Sequence, residues 1–382
     1  MDIKYFCDER CKALLPLTCL KEPQELRCGI LTLAEKVLYA LKDSKLGKDC
    51  VVFVNSRLLI GGDIKKELKN KAHSFVLVND GAMVLAVVKK AGRILPEQIE
   101  ELCAEKITVR SCLIEYPWDL VHKNGDEIAK DIKIPSLRAG LKPVTKQPKG
   151  VHLLNSKNIF IGKNTRIYPG VVIDAEKGPV VIDDGAVIMA NSVITGPVYI
   201  GKGTVIKALS KICGGTSIGP MCKVGGEIEE TVFQGYSNKQ HEGFIGHSYI
   251  GEWVNLGAGT NNSDLKNNYT NVKMKVSGKE LDTGKMFMGA VIGDHTKTGI
   301  NTMINTGTVL GISCNIFGAG YIPKYIPSFS WGGPEGMQEY NIEKAVEAAK
   351  AAMKRRDIEM SKEYESKFRT VFQTTASERK AL

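Results

Sequence analysis

One segment of this sequence concentrates the polar residues that could perform acid–base chemistry. It runs from Val224 to Asp264, and at its centre lies His241, which is followed fourteen residues later by Asn255. The imidazolium of histidine has a pKa of ~6.5, so at neutral pH the ring is mostly neutral and can accept a proton. We therefore take His241 as a candidate general base. The alternative interpretation is a hydrogen-bonded corner histidine among polar neighbours.

The element that must position His241 is a six-residue repeat, because an aliphatic residue returns at every sixth position in two runs. Neither a helix nor an alternating strand has this period, whereas a parallel β-helix turns a corner every six residues and points one aliphatic residue inward there. The sequence thus predicts a parallel β-helix over residues 155–327. The first run is Ile161, Ile167 and Ile173 and, after a gap of nine positions, Ile182, Ile188, Ile194, Ile200, Ile206, Ile212, Ile218 and Val224; the second is Ile292, Thr298, Ile304, Leu310, Ile316 and Ile322, in which only Thr298 is not aliphatic.

The repeat is interrupted close to the candidate base. Its phase slips between Phe244 and Leu256, and the polar stretch from Asn261 to about Lys285 carries no repeat. We interpret that stretch as an excursion from the coil. Excursions of a solenoid cluster on one face, which is often the binding face.

The first 134 residues have the mixed pattern of an α/β domain. Helical periodicity covers Leu26–Leu41, strands are predicted at Val51–Ile60 and within Phe75–Val88, and a helix is predicted from about Pro96 to Glu105. Asp80 lies in an Asn-Asp-Gly sequence between apolar residues. This pattern is typical of a hairpin turn, and the alternative for Asp80 is a metal-binding carboxylate beside a nucleotide.

Two further segments complete the predicted domain order. Residues 135–154 are rich in Pro and Lys at their start and are expected to be a linker. Residues 328–382 form a C-terminal tail, with a charged helix from Tyr340 to about Phe368. An apolar stripe on this helix is expected to cover a coil end or a neighbouring subunit; it consists of Ile342, Val346, Ala349 and Met353.

Composition excludes several classes of protein. With 43% hydrophobic and 25% charged residues the chain is globular, and its ten cysteines contain no CxxC pair, which favours reduced thiols. The net charge of +10 is not arranged as a basic stripe with aromatics, so we expect anionic small molecules and no nucleic acid. Neither a signal peptide nor an apolar run of about 18 residues is present, so we expect a cytoplasmic protein without membrane association.

The string that contains His241 carries a specific resemblance. SNKQHEGFIGHSYIGEWVNLGAGTNNSDLKNN is similar to a divergent bacterial branch of the glucosamine-1-phosphate acetyltransferase and N-acetylglucosamine-1-phosphate uridylyltransferase family. The resemblance spans roughly residues 155–325. It implies a left-handed β-helix, a homotrimer, an amino-sugar phosphate substrate and acetyl-CoA as co-substrate, with His241 as the base on the sugar amine.

The resemblance also implies roles for other residues. Asn255 would contact the sugar, Lys211 and Lys239 would bind substrate, and Ala258 would lie beside the thioester. Backbone groups for coenzyme A would come from Gly299, Ile300 and Gly318. A structural alternative stays open for each, since solenoid corners need glycine and asparagine for their turns, and Lys211 could be a solvated edge charge.

Two departures from the family concern the acceptor. Glu229 stands where the family has a phosphate-binding lysine, and Phe244 stands where a tyrosine is usual. A carboxylate facing a phosphate is unfavourable. Either Lys211, Lys223 and Lys239 rearrange to bind the phosphate, or the acceptor differs.

The N-terminal region resembles a sugar nucleotidyltransferase less completely. Leu15–Thr18 and Glu22–Leu26 are similar to the start of such domains, yet the preceding glycine-rich loop is replaced by the segment Phe6–Ala13, and Gln24 replaces a lysine. That loop binds nucleotide phosphates through backbone N–H groups. We expect uridylyl transfer to be lost or strongly altered, with Mg²⁺ required only if this domain is active; Arg10 and Lys12 are candidate phosphate contacts.

Other functions remain open at this stage. The chain could be a sugar nucleotidyltransferase or a non-catalytic scaffold that binds sugar nucleotides. A metal enzyme resembling γ-type carbonic anhydrases would use His241, His247 and His295, but their spacing does not match that family's. The favoured prediction has no metal ligands.

Overall fold

The structure is a computed structural model, and it describes residues 1–47, 49–89, 99–103, 105–110, 112–144 and 147–380. The chain divides into two compact units. Unit 1 comprises Met1–Leu14, Glu22–Leu26 and Leu31–Tyr116, and unit 2 comprises Leu15–Lys21, Arg27–Ile30 and Pro117–Leu382.

Unit 1 is an α/β unit with helices on both faces of a mixed sheet. Its strand order is β1-β2-β5-β4-β6, in which β1 runs parallel to β2, β6 runs parallel to β4, and β5 runs antiparallel to both β2 and β4; β3 and β7 form a separate antiparallel pair. The strands are β1 (Asp2–Phe6), β2 (Cys50–Asn55), β3 (Leu58–Leu59), β4 (Phe75–Asn79), β5 (Ala82–Lys89), β6 (Lys106–Thr108) and β7 (Cys112–Leu113), and the helices are α1 (Leu33–Lys42), α2 (Gly62–Asn70) and α3 (Ile99–Leu102).

The apolar strands of this sheet are buried on both faces. One face packs against α1 and α2 through residues such as Val37 and Ile64, and the other packs against α3 through Ile99. This burial explains the continuous apolar runs in β2 and β4. The predicted helix at Pro96–Glu105 corresponds to α3, although residues 96–98 and 104 lie outside the described residues.

The predicted hairpin at Asp80 is confirmed. Asn79 pairs with Ala82, and the two residues between them have positive φ angles, 48° for Asp80 and 81° for Gly81. Positive φ at both central positions is the conformation of a type I′ turn, which Asp-Gly adopts readily. The Asp80 side chain is exposed at the tip of the hairpin.

Unit 2 is a parallel β-helix with strands on three faces, and it is the left-handed hexapeptide coil that the sequence predicted. The first face consists of β8 (Lys142–Pro143), β10 (Ile159–Ile161), β13 (Val180–Ile182), β16 (Val198–Ile200), β19 (Thr216–Ile218), β22 (Val232–Gly235), β25 (Tyr249–Glu252), β29 (Ala290–Ile292), β32 (Thr308–Leu310) and β34 (Tyr325–Ile326).

The other two faces complete each coil. The second face consists of β11 (Arg166–Ile167), β14 (Val187–Ile188), β17 (Val205–Ile206), β20 (Lys223–Val224), β23 (Asn238–Lys239), β30 (Lys297–Thr298), β33 (Asn315–Ile316), β35 (Ser330–Gly333) and β36 (Gly336–Glu339). The third face consists of β9 (His152–Leu154), β12 (Val172–Asp174), β15 (Val193–Thr195), β18 (Lys211–Ile212), β21 (Glu227–Glu229) and β24 (Phe244–Gly246), continued by the pair β26 (Asn261–Asn262) and β31 (Met303–Ile304).

The repeated aliphatic residues form the core of the coil. From Ile182 to Val224 every residue of the first run is fully buried, and Ile292, Leu310 and Ile316 continue the same cluster. The predicted inward position of the six-residue repeat is therefore confirmed. Thr298, the one polar member of the second run, is also buried, and its hydroxyl lies 2.9 Å from that of Thr260.

The predicted excursion leaves the coil as a hairpin. Strand β26 still pairs within the third face, and β25 pairs with β29, so the residues between β26 and β29 are those that leave the helical path. Within them, β27 (Lys273–Val276) and β28 (Lys279–Asp282) pair antiparallel. Val272 and Met274 are buried, which anchors the hairpin.

The predicted linker, residues 135–154, contributes regular structure to unit 2. Strand β8 pairs antiparallel with β10 and covers the first edge of the coil, and β9 belongs to the third face. Before it lie α4 (Pro117–His122), α5 (Asn124–Asp131) and α6 (Pro135–Arg138). The Asn124 amide at the start of α5 donates to the Gly215 carbonyl at 2.7 Å, which ties these helices to the coil. The predicted boundaries at 134 and 154 stay predictions.

The C-terminal tail folds as helices at the last coils. The predicted helix from Tyr340 is divided into α7 (Ile342–Lys354) and α8 (Lys362–Thr374), followed by α9 (Ala376–Arg379). The apolar stripe is confirmed, because Val346, Ala349 and Met353 are buried. Among the described residues, none of the helices combines the length and apolarity needed to cross a membrane.

Candidate functional site

His241 lies at the corner between the second and third faces of the coil. It follows β23 and precedes β24, and its side chain is exposed in the single chain. The carbonyls of His241 and Glu242 accept hydrogen bonds from the ammonium of Lys239, at 2.5 and 3.1 Å. The loop that carries the imidazole is thus held from inside the coil, while the ring stays accessible.

Strand register aligns this corner over successive coils. Asn255 forms parallel bridges to Asn238 on one side and to Lys297 on the other. Lys297 in turn pairs with Asn315. Three positions after each of these four residues comes a residue of the predicted site, and these are His241, Ala258, Ile300 and Gly318. The structure therefore brings four residues that are distant in sequence to one edge of the coil.

Backbone contacts hold the edge together. The amide of Gly259 donates to the Glu242 carbonyl at 3.0 Å, and the amide of Asn301 donates to the Ala258 carbonyl at 2.7 Å. Gly299 also belongs to this edge: a Cβ added there would lie 3.3 Å from the Cβ of Phe317. The small residues leave the backbone open to an approaching ligand.

Asn255 lies next to this edge, on the second face. Its side chain is exposed, and it lines a cavity of about 390 Å³ beneath α7. The predicted contact with substrate is compatible with this position, because an exposed amide can both donate and accept hydrogen bonds.

Lys211 lies on the third face and is engaged by an acidic neighbour. Its ammonium is 3.0 Å from a carboxylate oxygen of Glu227, the residue with which it pairs across β18 and β21. The hydrogen bond and the charge of Glu227 raise the pKa of Lys211. Binding a substrate phosphate at Lys211 would require it to leave Glu227.

Lys239 occupies an unexpected place for a substrate-binding residue. It stands in register between Val224 and Leu256 in the row of inward-facing residues of the second face, and its side chain is fully buried. Burial lowers the pKa of its ammonium to about 8. In this structure Lys239 supports the His241 loop through two carbonyls and does not face solvent.

A histidine–aspartate pair near the excursion was not predicted as a site. Nδ1 of His247 lies 2.8 Å from Oδ2 of Asp264, and the ring stacks on Phe287 with centroids 5.1 Å apart. His122 lies beside it at 5.8 Å, and burial, with the charge of His247, lowers the pKa of His122 to about 4. The pairing depends on where the excursion returns to the coil, so no local sequence signal points to it.

The three histidines of the metal-enzyme alternative have different surroundings. His241 is exposed, His247 pairs with Asp264, and His295 is buried with Nε2 2.8 Å from the Tyr364 hydroxyl. Over the described part of the chain, no group of three or more His, Cys, Asp or Glu side chains is arranged to hold a metal ion. We derive no step through a metal.

In unit 1, the segment that replaces the glycine-rich loop is fastened by ion pairs. It contains a 3₁₀ helix, Glu9–Leu14, and the Asp8 carboxylate accepts hydrogen bonds from Arg57 at 2.6 and 3.0 Å. Burial would raise the pKa of Asp8, but these bonds and that from Asn55 lower it. Arg10, a candidate phosphate contact, pairs with Glu115, and Lys12 is exposed.

Comparison with known proteins relates the chain to transferases. A sequence model described as sugar nucleotidyl transferase matches residues 42–138. The bifunctional sugar-1-phosphate nucleotidylyltransferase/acetyltransferase of Sulfurisphaera tokodaii is 39% identical over 143 residues, which is 37% of this chain and 36% of that protein. The chain is similar to bifunctional transferases.

Two proteins named bifunctional protein GlmU extend the similarity. The one from Methanocaldococcus jannaschii is 33% identical over 102 residues, which is 27% of this chain and 25% of that protein. The one from Nostoc sp. is 26% identical over 201 residues, which is 47% of this chain and 41% of that protein. The chain thus spans between a quarter and about two fifths of the length of these relatives.

Proposed function

We propose that this protein is an acetyl-CoA-dependent N-acetyltransferase that acts on an amino-sugar phosphate resembling glucosamine 1-phosphate, in the synthesis of nucleotide-sugar precursors. The observation that carries the proposal is the edge where His241, Ala258, Ile300 and Gly318 align on successive coils. An exposed imidazole beside open backbone suits the transfer of an acyl group to an amine. The name of the Sulfurisphaera tokodaii relative, which joins nucleotidylyltransferase to acetyltransferase, supports the same reaction class.

In the proposed reaction, His241 removes a proton from the sugar amine as the nitrogen attacks the carbonyl carbon of the thioester. A C–N bond forms and the C–S bond breaks. The imidazolium then gives its proton to the leaving thiolate, so the histidine ends neutral. The products are an N-acetylated sugar phosphate and coenzyme A.

A single coil presents the His241 edge to bulk water, which is a poor environment for this reaction. A second copy packed along the edge would supply the other wall of a groove and exclude water, as a homotrimer does in the family that the sequence resembles. We therefore include a homotrimer in the proposal. The cytoplasm, where acetyl-CoA is available, is the proposed location.

Nucleotidyl transfer by unit 1 is proposed to be lost or strongly altered. The segment at Glu9–Leu14 offers no row of glycine amides to a phosphate, and Arg10 and Asp8 are already paired with Glu115 and Arg57. Incubation with UTP, Mg²⁺ and the acetylated sugar phosphate is expected to give no nucleotide sugar. Formation of pyrophosphate and a nucleotide sugar would instead support a sugar nucleotidyltransferase.

The central test follows thiol release from acetyl-CoA in the presence of glucosamine 1-phosphate and other amino-sugar phosphates. His241→Ala is expected to lower kcat by roughly 10²- to 10⁴-fold, because it removes the general base. His152→Ala is the matched control, since His152 is an exposed histidine on β9, in an earlier turn of the same β-helix. Its activity should equal that of the wild type.

Two results would contradict the proposal. Unchanged turnover by His241→Ala would remove His241 from the mechanism, and His247→Ala would then be tested as the alternative base because of its bond to Asp264. No thiol release from the wild type with any amino-sugar phosphate, despite binding of a sugar nucleotide, would favour a non-catalytic scaffold.

A further inference from the structure

A cavity of about 390 Å³ lies between the second face of the coil and α7. Its size falls within the range of about 300–1,000 Å³ that is typical of small-molecule sites. The coil contributes Asn255 and Lys297, and the segment that follows α7 contributes Arg355 and Arg356. Alanines of α7 at positions 348, 351 and 352 face the cavity and leave its volume open.

The cavity is strongly cationic. Three of its lining residues, Lys297, Arg355 and Arg356, carry positive charge, and no Asp or Glu is among the described residues that line it. Lys223 stands beside it, and burial followed by the charges of Arg356 and Arg355 lowers the pKa of Lys223. Burial lowers the pKa of Lys297 to about 8. Gathering like charges in this way is unfavourable unless an anion offsets them.

Two of the three cations bond to the coil, and all three line the same cavity. The Arg356 guanidinium donates to the Asn238 side chain at 2.8 Å and to the Met221 carbonyl at 3.4 Å. The Lys297 ammonium donates to the His295 carbonyl at 3.1 Å. Arg355 is exposed. A guanidinium group can donate two parallel hydrogen bonds to two oxygens of one phosphate. A lysine ammonium fits this geometry less well.

Two aromatic residues form part of the wall of the cavity. Trp253 stacks on Tyr236 with ring centroids 4.5 Å apart and an angle of 18° between the planes, and both residues line the space. Trp253 is buried between Tyr236 and His295, so Tyr236, which is half-buried, is the ring that can contact a sugar whose hydroxyls bond to polar neighbours such as Asn255. The combination of cations, amide and aromatic wall suits a phosphorylated monosaccharide.

We propose that this cavity binds the phosphomonoester group of the acceptor sugar through Arg355, Arg356 and Lys297. The identity of the sugar rests on the proposed function, whereas the phosphate binding does not. The site bears on the departure at Glu229, which stands on the third face where the resembling family has a phosphate-binding lysine. In the proposal, Lys297 of β30 and the two arginines that follow α7 supply the positive charge instead, at the second face.

The test is calorimetric titration of the full-length protein with glucosamine 1-phosphate, unphosphorylated glucosamine and inorganic phosphate. Arg355→Gln and Lys297→Gln are each expected to weaken binding of the two phosphate-containing ligands about tenfold, the effect of one lost charged contact, and to leave glucosamine unchanged. Lys354→Gln is the matched control, an exposed neighbouring cation outside the lining. At Arg356 the variant is Arg356→Lys and not Arg356→Gln, because the Arg356 guanidinium also donates a hydrogen bond to the side chain of Asn238.

A second arm separates the acceptor phosphate from the 3′-phosphate of coenzyme A. If Arg355→Gln weakens coenzyme A relative to 3′-dephospho-coenzyme A while leaving glucosamine 1-phosphate unchanged, the acceptor assignment is overturned. Equal affinities of Arg355→Gln and wild type for all phosphate ligands would also overturn it. Loss of glucosamine 1-phosphate binding in Arg355→Gln, in a protein without acetyl transfer, supports the cavity and contradicts only the proposed function.

Discussion

A lysine in the row of inward-facing residues of a β-helix is the most unusual feature of the second face. Lys239 is fully buried, yet its ammonium reaches the carbonyls of His241 and Glu242. Two carbonyl partners offset part of the cost of removing the ammonium from water. The side chain of Lys239 therefore couples the inside of the coil to the loop that carries the candidate base.

This burial predicts a dependence of stability on pH. Below about pH 8 the folded and unfolded states both hold the proton, and the folded state bears the full cost of the buried charge. Between pH 8 and the ordinary lysine pKa of 10.5 the folded state binds fewer protons than the unfolded state, so the contribution of Lys239 to stability rises with pH. The free energy of unfolding of the wild type minus that of Lys239→Met should rise by up to ~3 kcal/mol over this interval.

The measurement is urea denaturation of both proteins at pH 7.5, 9 and 10.5. Lys202→Met is the control because Lys202 is exposed, and its difference from the wild type should stay flat. A flat difference for Lys239→Met as well would show that Lys239 is not desolvated in solution.

At the level of elements, α7 and α8 are begun by side-chain caps and held by aromatic contacts. The Asn341 side chain accepts from the amides of Glu343 and Lys344, and that of Ser361 accepts from the amide of Tyr364. These bonds satisfy amides that have no partner within the helix. The two helices thus begin at defined residues.

Phe368 on α8 is the centre of their packing against the last coils. It is fully buried and meets Phe329 edge-on, with centroids 5.0 Å apart, and His295 at 5.5 Å. Phe368→Ala should therefore lower the free energy of unfolding by about 3–5 kcal/mol. Urea denaturation measures this change, with Tyr269→Ala, an exposed aromatic residue of the excursion, as a control that should change it little. A loss below about 1 kcal/mol would mean that α8 is not docked.

The elements also explain how much of the molecule the sequence could predict. The six-residue repeat predicted the coil because each repeated aliphatic residue lies inside it, as Ile200 and Ile292 do. The repeat does not predict Lys239, because there a polar residue takes an inward position and its ammonium donates to the carbonyls of the His241 loop. The division between α7 and α8 was not predicted, because the apolar stripe continues in sequence across the break.

The candidate site was only partly accessible to sequence reasoning. The residues of the His241 edge were predicted from the resemblance to the acetyltransferase family, and the strand register of the structure then aligns four of them. The cationic cavity was not, since Arg355 and Lys297 are 58 positions apart and meet only when α7 folds back onto the second face. The bond between His247 and Asp264 likewise requires the excursion to return beside the third face.

At the scale of the whole molecule, the His241 edge carries apolar side chains that a single chain leaves in water. Leu209 is 67% exposed at the corner between β17 and β18, Ile300 is 72% exposed, and Phe317 is 39% exposed. Exposed apolar residues in line along one edge are typical of a surface that packs against another subunit. They lie where the proposed groove needs its second wall.

We therefore expect the protein to sediment as a homotrimer, with three times the 41.8 kDa of one chain. Ile300→Asp should dissociate the trimer, because the carboxylate would be buried without a partner, and should lower acetyl transfer in parallel. Ile300→Leu should keep both properties. Leu38→Asp is the control, since Leu38 is an exposed aliphatic residue of α1 in unit 1.

Analytical ultracentrifugation and thiol release, performed on the same samples, distinguish the outcomes. Parallel loss of association and activity in Ile300→Asp supports a groove shared between subunits. A monomeric wild type that transfers acetyl groups would contradict it, because one coil would then suffice to enclose the substrates. An Ile300→Asp trimer without activity would instead assign Ile300 to the binding of coenzyme A alone, since the edge would still be covered by a second chain.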